Sequence, residues 1–341
     1  MLNTVYRLVE PRRIEAEFCD IDITENEVLV RPTYLSICNA DQRYFQGQRS
    51  SKVLREKLPM ALIHEGIGQV IYDPKGEFGT GTRVVMIPNT PQEDDDVVAE
   101  NYRRSSIFRA SGSDGFMQDI VAMRRDRVVV LPDWIDERVA AFTELVSVVY
   151  HAIDRFCKKA HSRQDTIAVW GDGNLAYIAT LLLKNRLPQS RIIVVGKHEY
   201  KLKDFVFADE TYTIDSIPAE LSVDHAFECV GGAASSAAIN QIIDYIRPEG
   251  SIAIMGVSEE NVPVNTRMVL EKGLSVFGNS RSGVEDFKNL IAFYEENPTV
   301  VDYLKKIVGE IIEVHTIDDM VAAFDSDMRK KGGKTIMLWN K

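Results

Sequence analysis

Three short stretches of the chain hold side chains whose types suit one chemistry. "LSICNADQRY" carries Cys38, "LIHEGIGQV" carries His64 and Glu65 26 residues later, and "AFTELVSVVYHA" sets Glu144 inside an apolar, helix-like run. A thiolate, an imidazole and carboxylates make a mixed zinc shell that can leave one position open for substrate. A lone buried carboxylate such as Glu144 is costly unless a cation compensates it. Taken singly, each residue has a plainer reading: most lone cysteines simply pack, and an adjacent His-Glu pair usually decorates a surface. Cys19, Cys157 and Cys229 are remote from Cys38 in sequence and form no C-x-x-C pair. Neither a disulfide framework nor a four-cysteine zinc lobe is therefore supported.

A second set suits phosphate. In "WGDGNLAY", Gly171, Gly173 and Ala176 give G-x-G-x-x-A between an apolar run and a helical pattern, with Asn174 and Leu175 opening the helix. The first glycine permits a tight turn, the second lets backbone approach a pyrophosphate, and the small third residue lets helix and strand pack closely. The phosphates would sit at the helix N-terminus, where unpaired N–H groups and the macrodipole favour anions. An NAD site wants Asp or Glu at the end of the next strand to accept from the ribose 2′-hydroxyl. Here "VVGKHEYKLK" has Gly196 at that place, followed by Lys197, His198, Lys201 and Lys203. Cations without an acid favour a 2′-phosphate, hence NADPH; the plainer reading is a solvated basic face after a loop.

These residues need elements to hold them. Residues 1–147 read as short β-branched runs such as "EVLVRPTYLSI", "GIGQVIYD" and "RVVVLP", bounded by Gly, Pro and Asp, and predict a mostly-β domain. From 148 to 284 the pattern alternates between strands and helices, beginning with the βαβ unit "TIAVWGDGNLAYIATLLLKNRLPQSRIIVVG", and predicts a doubly wound parallel sheet. Residues 285–341 return to mixed structure and are expected to complete the first domain. The fold class is thus α/β in two domains, as a chain of 341 residues would suggest.

Composition narrows the partners. With 45% hydrophobic and 27% charged residues the chain is an ordinary globular one. Its 40 basic against 51 acidic residues, a net charge of −11, argue against a nucleic-acid or anionic-membrane surface. No cleavable leader pattern or long apolar run is present, so a cytoplasmic location is expected.

The C-x-x-D of Cys38 and Asp41, the Ile63-His64-Glu65 run with Gly66 and Gly68, Glu144 ahead of the sheet domain and the G-x-G-x-x-A resemble the zinc-dependent medium-chain dehydrogenase/reductase superfamily over essentially the full length. The resemblance implies a GroES-like catalytic domain beside a Rossmann domain. It implies that Cys38, His64 and Glu144 ligate one catalytic zinc, with Glu65 a ligand or exchangeable neighbour and Asp41 orienting the His64 ring. Two departures stand out. The structural-zinc cysteines are missing from 88–118, and Ala40 stands where many members carry the Ser or Thr of a proton relay, which leaves water, Glu65 or Tyr44 as the proton source.

Within the superfamily, "RPTYLSICNADQRYFQG", "LPMALIHEG", "SGSDGFMQD" and "DHAFECVGG" look like the ribulose-5-phosphate reductases, also termed ribitol-5-phosphate 2-dehydrogenases. That resemblance implies NADPH-dependent reduction of D-ribulose 5-phosphate to D-ribitol 5-phosphate for teichoic acid or capsule, a homodimer, and a partner ribitol-5-phosphate cytidylyltransferase. Arg43 and Arg109, in basic islands of an acidic chain, are the candidates for the substrate phosphate. The rival readings are another zinc polyol or polyol-phosphate dehydrogenase working in the oxidising direction, and a non-catalytic NADPH-binding protein that kept the fold.

Overall fold

The β-branched runs of the first 147 residues form strands in the computed structural model, which describes residues 1–341. In chain order they are β1 (Leu2–Glu10), β2 (Arg13–Asp20), β3 (Glu27–Ser36), β4 (Met60–Ala61), β5 (Glu65–Tyr72), β6 (Arg83–Met86), β7 (Asn89–Thr90), β8 (Ile107–Phe108), β9 (Val121–Arg124) and β10 (Val128–Val130). The alternating segment supplies β11 (Thr166–Trp170), β12 (Arg191–Gly196), β13 (Glu210–Thr213), β14 (Val223–Glu228), β15 (Ile246–Ile254) and β16 (Ser275–Gly278); the tail adds β17 (Val308–Val314) and β18 (Lys334–Trp339). No helix is long and apolar enough to cross a membrane.

Two compact units result, Met1–Ser147 with Arg281–Lys341, and Val148–Ser280. The chain thus rejoins the first unit at Arg281, slightly before the expected residue 285. The reason lies in three contacts within that unit. Arg281 stacks on Phe108, the Ser282 hydroxyl bonds that of Ser147 at 2.6 Å, and the Val284 N–H donates to Glu100 at 2.8 Å.

In the first unit the main sheet runs β10-β6-β5-β3-β18-β17, with β9 also on β3, and a second sheet runs β2-β1-β4. β3 is central. Its Ser36 stands opposite Glu65 of β5 on one side and Ile336 of β18 on the other, both antiparallel. The return segment therefore supplies an interior strand of the sheet that carries Glu65. The core between the sheets and helix Ile317–Arg329 includes Leu8, Leu35, Phe45, Phe116 and Phe324, and Phe45 stacks on Phe324 at 4.5 Å. Each such buried side chain contributes roughly 1.5–3 kcal/mol relative to exposure. A close approach fixes the loop ahead of β5. Gly115 and Phe116 donate to the carbonyls of Ala61 and Ile63 at 2.8 and 2.7 Å, and a Cβ at Gly115 would sit 2.3 Å from the carbonyl oxygens of Leu62 and Ile63.

The second unit is one six-stranded parallel sheet, ordered β13-β12-β11-β14-β15-β16. Strands near its middle read as continuous apolar runs because helices cover both faces, and β11, β12 and β14 are buried almost throughout. The strand order reverses at β11, between β12 and β14. That is the switch point where open α/β sheets take ligands beyond the carboxyl ends of their strands.

Candidate active site and nucleotide site

The C-x-x-D motif has a local cause. Cys38 is the N-cap of helix Asn39–Phe45: its Sγ accepts from the Ala40 N–H at 3.2 Å while Asp41 accepts from the Cys38 N–H at 3.2 Å, a capping box built on sulfur. An N–H donor and a helix N-terminus both suit an anionic ligand atom. The other oxygen of Asp41 accepts from the Ile63 N–H at 3.0 Å, and Ile63 holds a left-handed φ of 70° immediately before His64. Asp41 thus joins the two ligand-bearing loops through backbone.

Asp41 is expected to orient the His64 ring, and its oxygen lies 3.6 Å from His64 Nδ1 while accepting from the Ile63 N–H beside it. His64 Nδ1 is itself buried without a hydrogen-bond partner.

Ligand atoms of Cys38, His64 and Glu65 lie within 4.8 Å of one another. Glu144 falls outside that triple but is electrostatically part of it: burial lifts its carboxyl to about 7, with His64 pulling it down and Glu65 pushing it up. Burial works against charge on His64, yet Cys38 and Asp41 outweigh it and hold the imidazole well above its usual range. A buried imidazole, a thiol and the Glu65 carboxylate in one place, with Glu144 coupled to them electrostatically, fit a divalent cation with mixed N, O and S donors, and zinc is the metal such a set takes.

Sequence reasoning missed Lys334. Its ammonium lies 2.8 Å from both oxygens of Glu65, and neither side chain is more than 4% exposed. Burial opposes its charge, but Glu65 and Cys38 hold it above the ordinary lysine range. Only the pairing of β18 beside β3 brings this lysine to β5, and nothing local in "KKGGKTIMLW" signals it.

The phosphate candidates separate. Arg43 sits half-buried in the last turn of the helix that Cys38 caps. Arg109 does not present its guanidinium to a substrate as expected: it is half-buried, donating to the carbonyls of Asp114 at 3.2 Å and Ala122 at 2.6 Å, and desolvation pulls it down to about 10. It holds a loop. Within the 88–118 segment Arg103 ties the loop internally, donating to the carbonyls of Val98 and Asp95 at 2.9 and 2.7 Å.

In the second unit the loops after β11 and β14 meet. Gly171 has φ 137°, and a Cβ there would lie 3.0 Å from the Cys229 carbonyl oxygen. Gly173 opens helix Asn174–Arg186 with no side-chain cap, and Ala176 is fully buried against the sheet, with Leu175 less so. Glu228, also unforeseen, accepts from the N–H groups of Val230, Gly231 and Gly256 at 2.9–3.0 Å and so ties the loops after β14 and β15.

Gly196 cannot be the acid of an NAD site, because its Cβ would lie 2.8 Å from that of Asp172. Asp172 instead accepts from the backbone N–H groups of Lys197 and His198 at 2.9 and 2.7 Å and from His198 Nδ1 at 2.8 Å. Burial favours its neutral form, but these donors and Lys201, 3.7 Å away, outweigh burial and hold it below the usual range. Lys201 is therefore partly committed to Asp172, whereas the exposed Lys197 ammonium has no carboxylate partner.

Comparison with known proteins follows the same division. Residues 24–133 match the model of the alcohol dehydrogenase GroES-like domain, and residues 177–296 that of the zinc-binding dehydrogenases. The chain is 54% identical to ribulose-5-phosphate reductase 1 of Staphylococcus aureus over 339 residues, 99% of each protein, and 52% identical to the ribulose-5-phosphate reductase of Bacillus spizizenii, again over 99% of each. The crystal structure of S. aureus TarJ in complex with NADPH superposes with a TM-score of 0.90 at 50% identity, covering all of both chains.

Two outcomes are expected. Purified protein should carry one zinc per chain by metal analysis, and Cys38→Ser should lose it while its Kd for NADPH changes less than twofold; two tightly held zinc ions, or lost NADPH binding in a folded variant, would contradict this. Lys197→Ala should raise the KM for NADPH about 10- to 100-fold, the effect of one charge-assisted hydrogen bond, with NADH hardly affected. An unchanged NADPH KM would move the assignment to Lys201.

Proposed function

The chain belongs to the zinc-binding dehydrogenases, in the family of the ribulose-5-phosphate reductases, and from this we propose that it reduces the C2 ketone of D-ribulose 5-phosphate to D-ribitol 5-phosphate with NADPH. The observation that carries this reading is the buried Cys38, His64 and Glu65 cluster, in a chain that aligns end to end with such reductases. We place the product with a CTP-dependent cytidylyltransferase that supplies teichoic acid or capsule, in the cytoplasm.

Cys38, His64 and Glu144 would hold the zinc, with Glu65 beside it sharing its carboxylate with Lys334. When bound, zinc supplies Lewis-acid polarisation of the ketone, and NADPH supplies the hydride. Asp41 fixes the loops that bear Cys38 and His64, so the donors are positioned before substrate arrives. Lys197, with the Gly171–Ala176 turn, would hold the dinucleotide, and the crowding at Gly196 excludes the acid that selects NAD. Ala40 carries no hydroxyl, and Tyr44 is core-buried with the Arg49 guanidinium 4.9 Å above its ring. The proton therefore reaches the product oxygen from water, or through Glu65 from the Lys334 ammonium paired with it.

We also infer a homodimer through β16, an edge strand of the parallel sheet with Val276 and the neighbouring Leu270 exposed. Sedimentation of a monomer at micromolar concentration would refute that inference.

The decisive assay scans ribulose and ribulose 5-phosphate with NADPH and NADH. Ribulose 5-phosphate should be reduced with much higher kcat/KM, and the missing phosphate should cost kcat as well as affinity, since remote binding energy orients the ketone. Similar kcat/KM for both sugars would favour a general polyol dehydrogenase instead.

A further inference from the structure

Arg281 makes no hydrogen bond and no ion pair, although it is half-buried. Other guanidiniums withdrawn from solvent in this unit are committed: Arg109 to carbonyls, Arg127 to Glu100 at 2.6 Å, and Arg125 to Asp73. That of Arg281 sits over a ring instead, its carbon 4.3 Å from the Phe108 centroid. Phe108 in turn packs on His64, ring to ring at 5.3 Å, and Arg281 feels the charge of Glu144. The cation thus stands one aromatic ring away from a residue of the metal-donor cluster.

Its backbone is strained to put it there. Arg281 has φ 58°, a left-handed conformation that disfavours a residue with a Cβ. The following residues hold it in place. Ser282 bonds the Ser147 hydroxyl, Ser147 donates to the carbonyl of Glu144 at 2.6 Å, and Glu100 accepts from Val284 while paired with Arg127. Strain kept by such over-determination collects at ligand-binding positions.

A guanidinium held over a ring by cation–π attraction, with no hydrogen bond to the protein, keeps its N–H donors for an anion, and its fork suits bidentate phosphate. We propose that Arg281, seated on Phe108, is the residue that receives the phosphate of the sugar phosphate while the ketone end lies toward His64. Both groups border the same ring, Arg281 at 4.3 Å and His64 at 5.3 Å from its centroid. This deepens the reading of a phosphorylated substrate and rests on it.

The test uses Arg281→Gly, which relieves the positive φ and so should fold, and Arg281→Lys, which keeps charge but loses the fork. For Arg281→Gly, kcat/KM on ribulose 5-phosphate should fall about 10- to 100-fold further than on ribulose, and calorimetric affinity for ribitol 5-phosphate should fall by a similar factor at unchanged zinc content. Arg281→Lys should recover part of both. Inorganic phosphate should inhibit the wild type competitively against ribulose 5-phosphate and inhibit Arg281→Gly more weakly. Equal losses on the two sugars, or unchanged ribitol 5-phosphate affinity, would overturn the assignment. If the wild type itself fails to prefer ribulose 5-phosphate, the reading of the substrate falls first.

Discussion

The catalytic unit is closed by one buried ion pair, Glu65 with Lys334, whose partners are 269 residues apart in sequence. Both side chains lose nearly all their water, so the pair need not add stability over an apolar contact, but removing either partner strands the other and typically costs about 3–5 kcal/mol. What the pair secures is register. Lys334 reaches Glu65 only if β18 lies beside β3 with Ile336 opposite Ser36, and Ser36 already stands opposite Glu65. Folding the C-terminal segment back onto the sheet and setting the charge at the metal-donor cluster are therefore a single event. A chain that failed to place β18 would leave an uncompensated carboxylate at the centre of its own site.

The cluster is built to want a cation. Asp41, Glu65 and Glu144 are buried near a cysteine thiol and an imidazole, with Lys334 paired to Glu65. The response is visible in Glu144, which burial lifts to about 7, and in His64, which its anionic neighbours hold above the ordinary imidazole range. Because metal binding needs the deprotonated forms, cation and protons compete for the same atoms.

Much of this was legible in the sequence, for a physical reason. The donors sit on elements whose local chemistry marks them: Cys38 at a helix cap, His64 and Glu65 at a strand start, Gly171 and Gly173 at a strand-to-helix turn. The alternation of β11 to β16 with helices likewise predicts a parallel sheet from local patterns alone. What escaped was whatever depends on pairing across the fold. Lys334 acts through strand order, Asp172 through the return of β12 beside β11, and Arg281 through a ring 173 positions earlier in the chain. Arg109 shows the opposite error. A basic residue in a basic island looked like a phosphate ligand, but its fork is occupied by carbonyls that no local pattern reveals.

The contrast between Arg109 and Arg281 carries the argument about charge one step further. In a chain of net charge −11, a cation near a functional site is normally claimed by a carboxylate or a carbonyl, as Lys334, Lys201, Arg125 and Arg127 are. An unclaimed cation must be kept from its surroundings, and the two found here are kept in different ways. Lys197 stays exposed, while Asp172 takes the backbone donors beside it and the lysine on the next helical turn. Arg281 is held on an aromatic face by a backbone that would relax as glycine, with the local carboxylate Glu100 already bound to Arg127 and Val284. Each arrangement diverts the nearby acid to another donor and leaves the cation without a carboxylate partner.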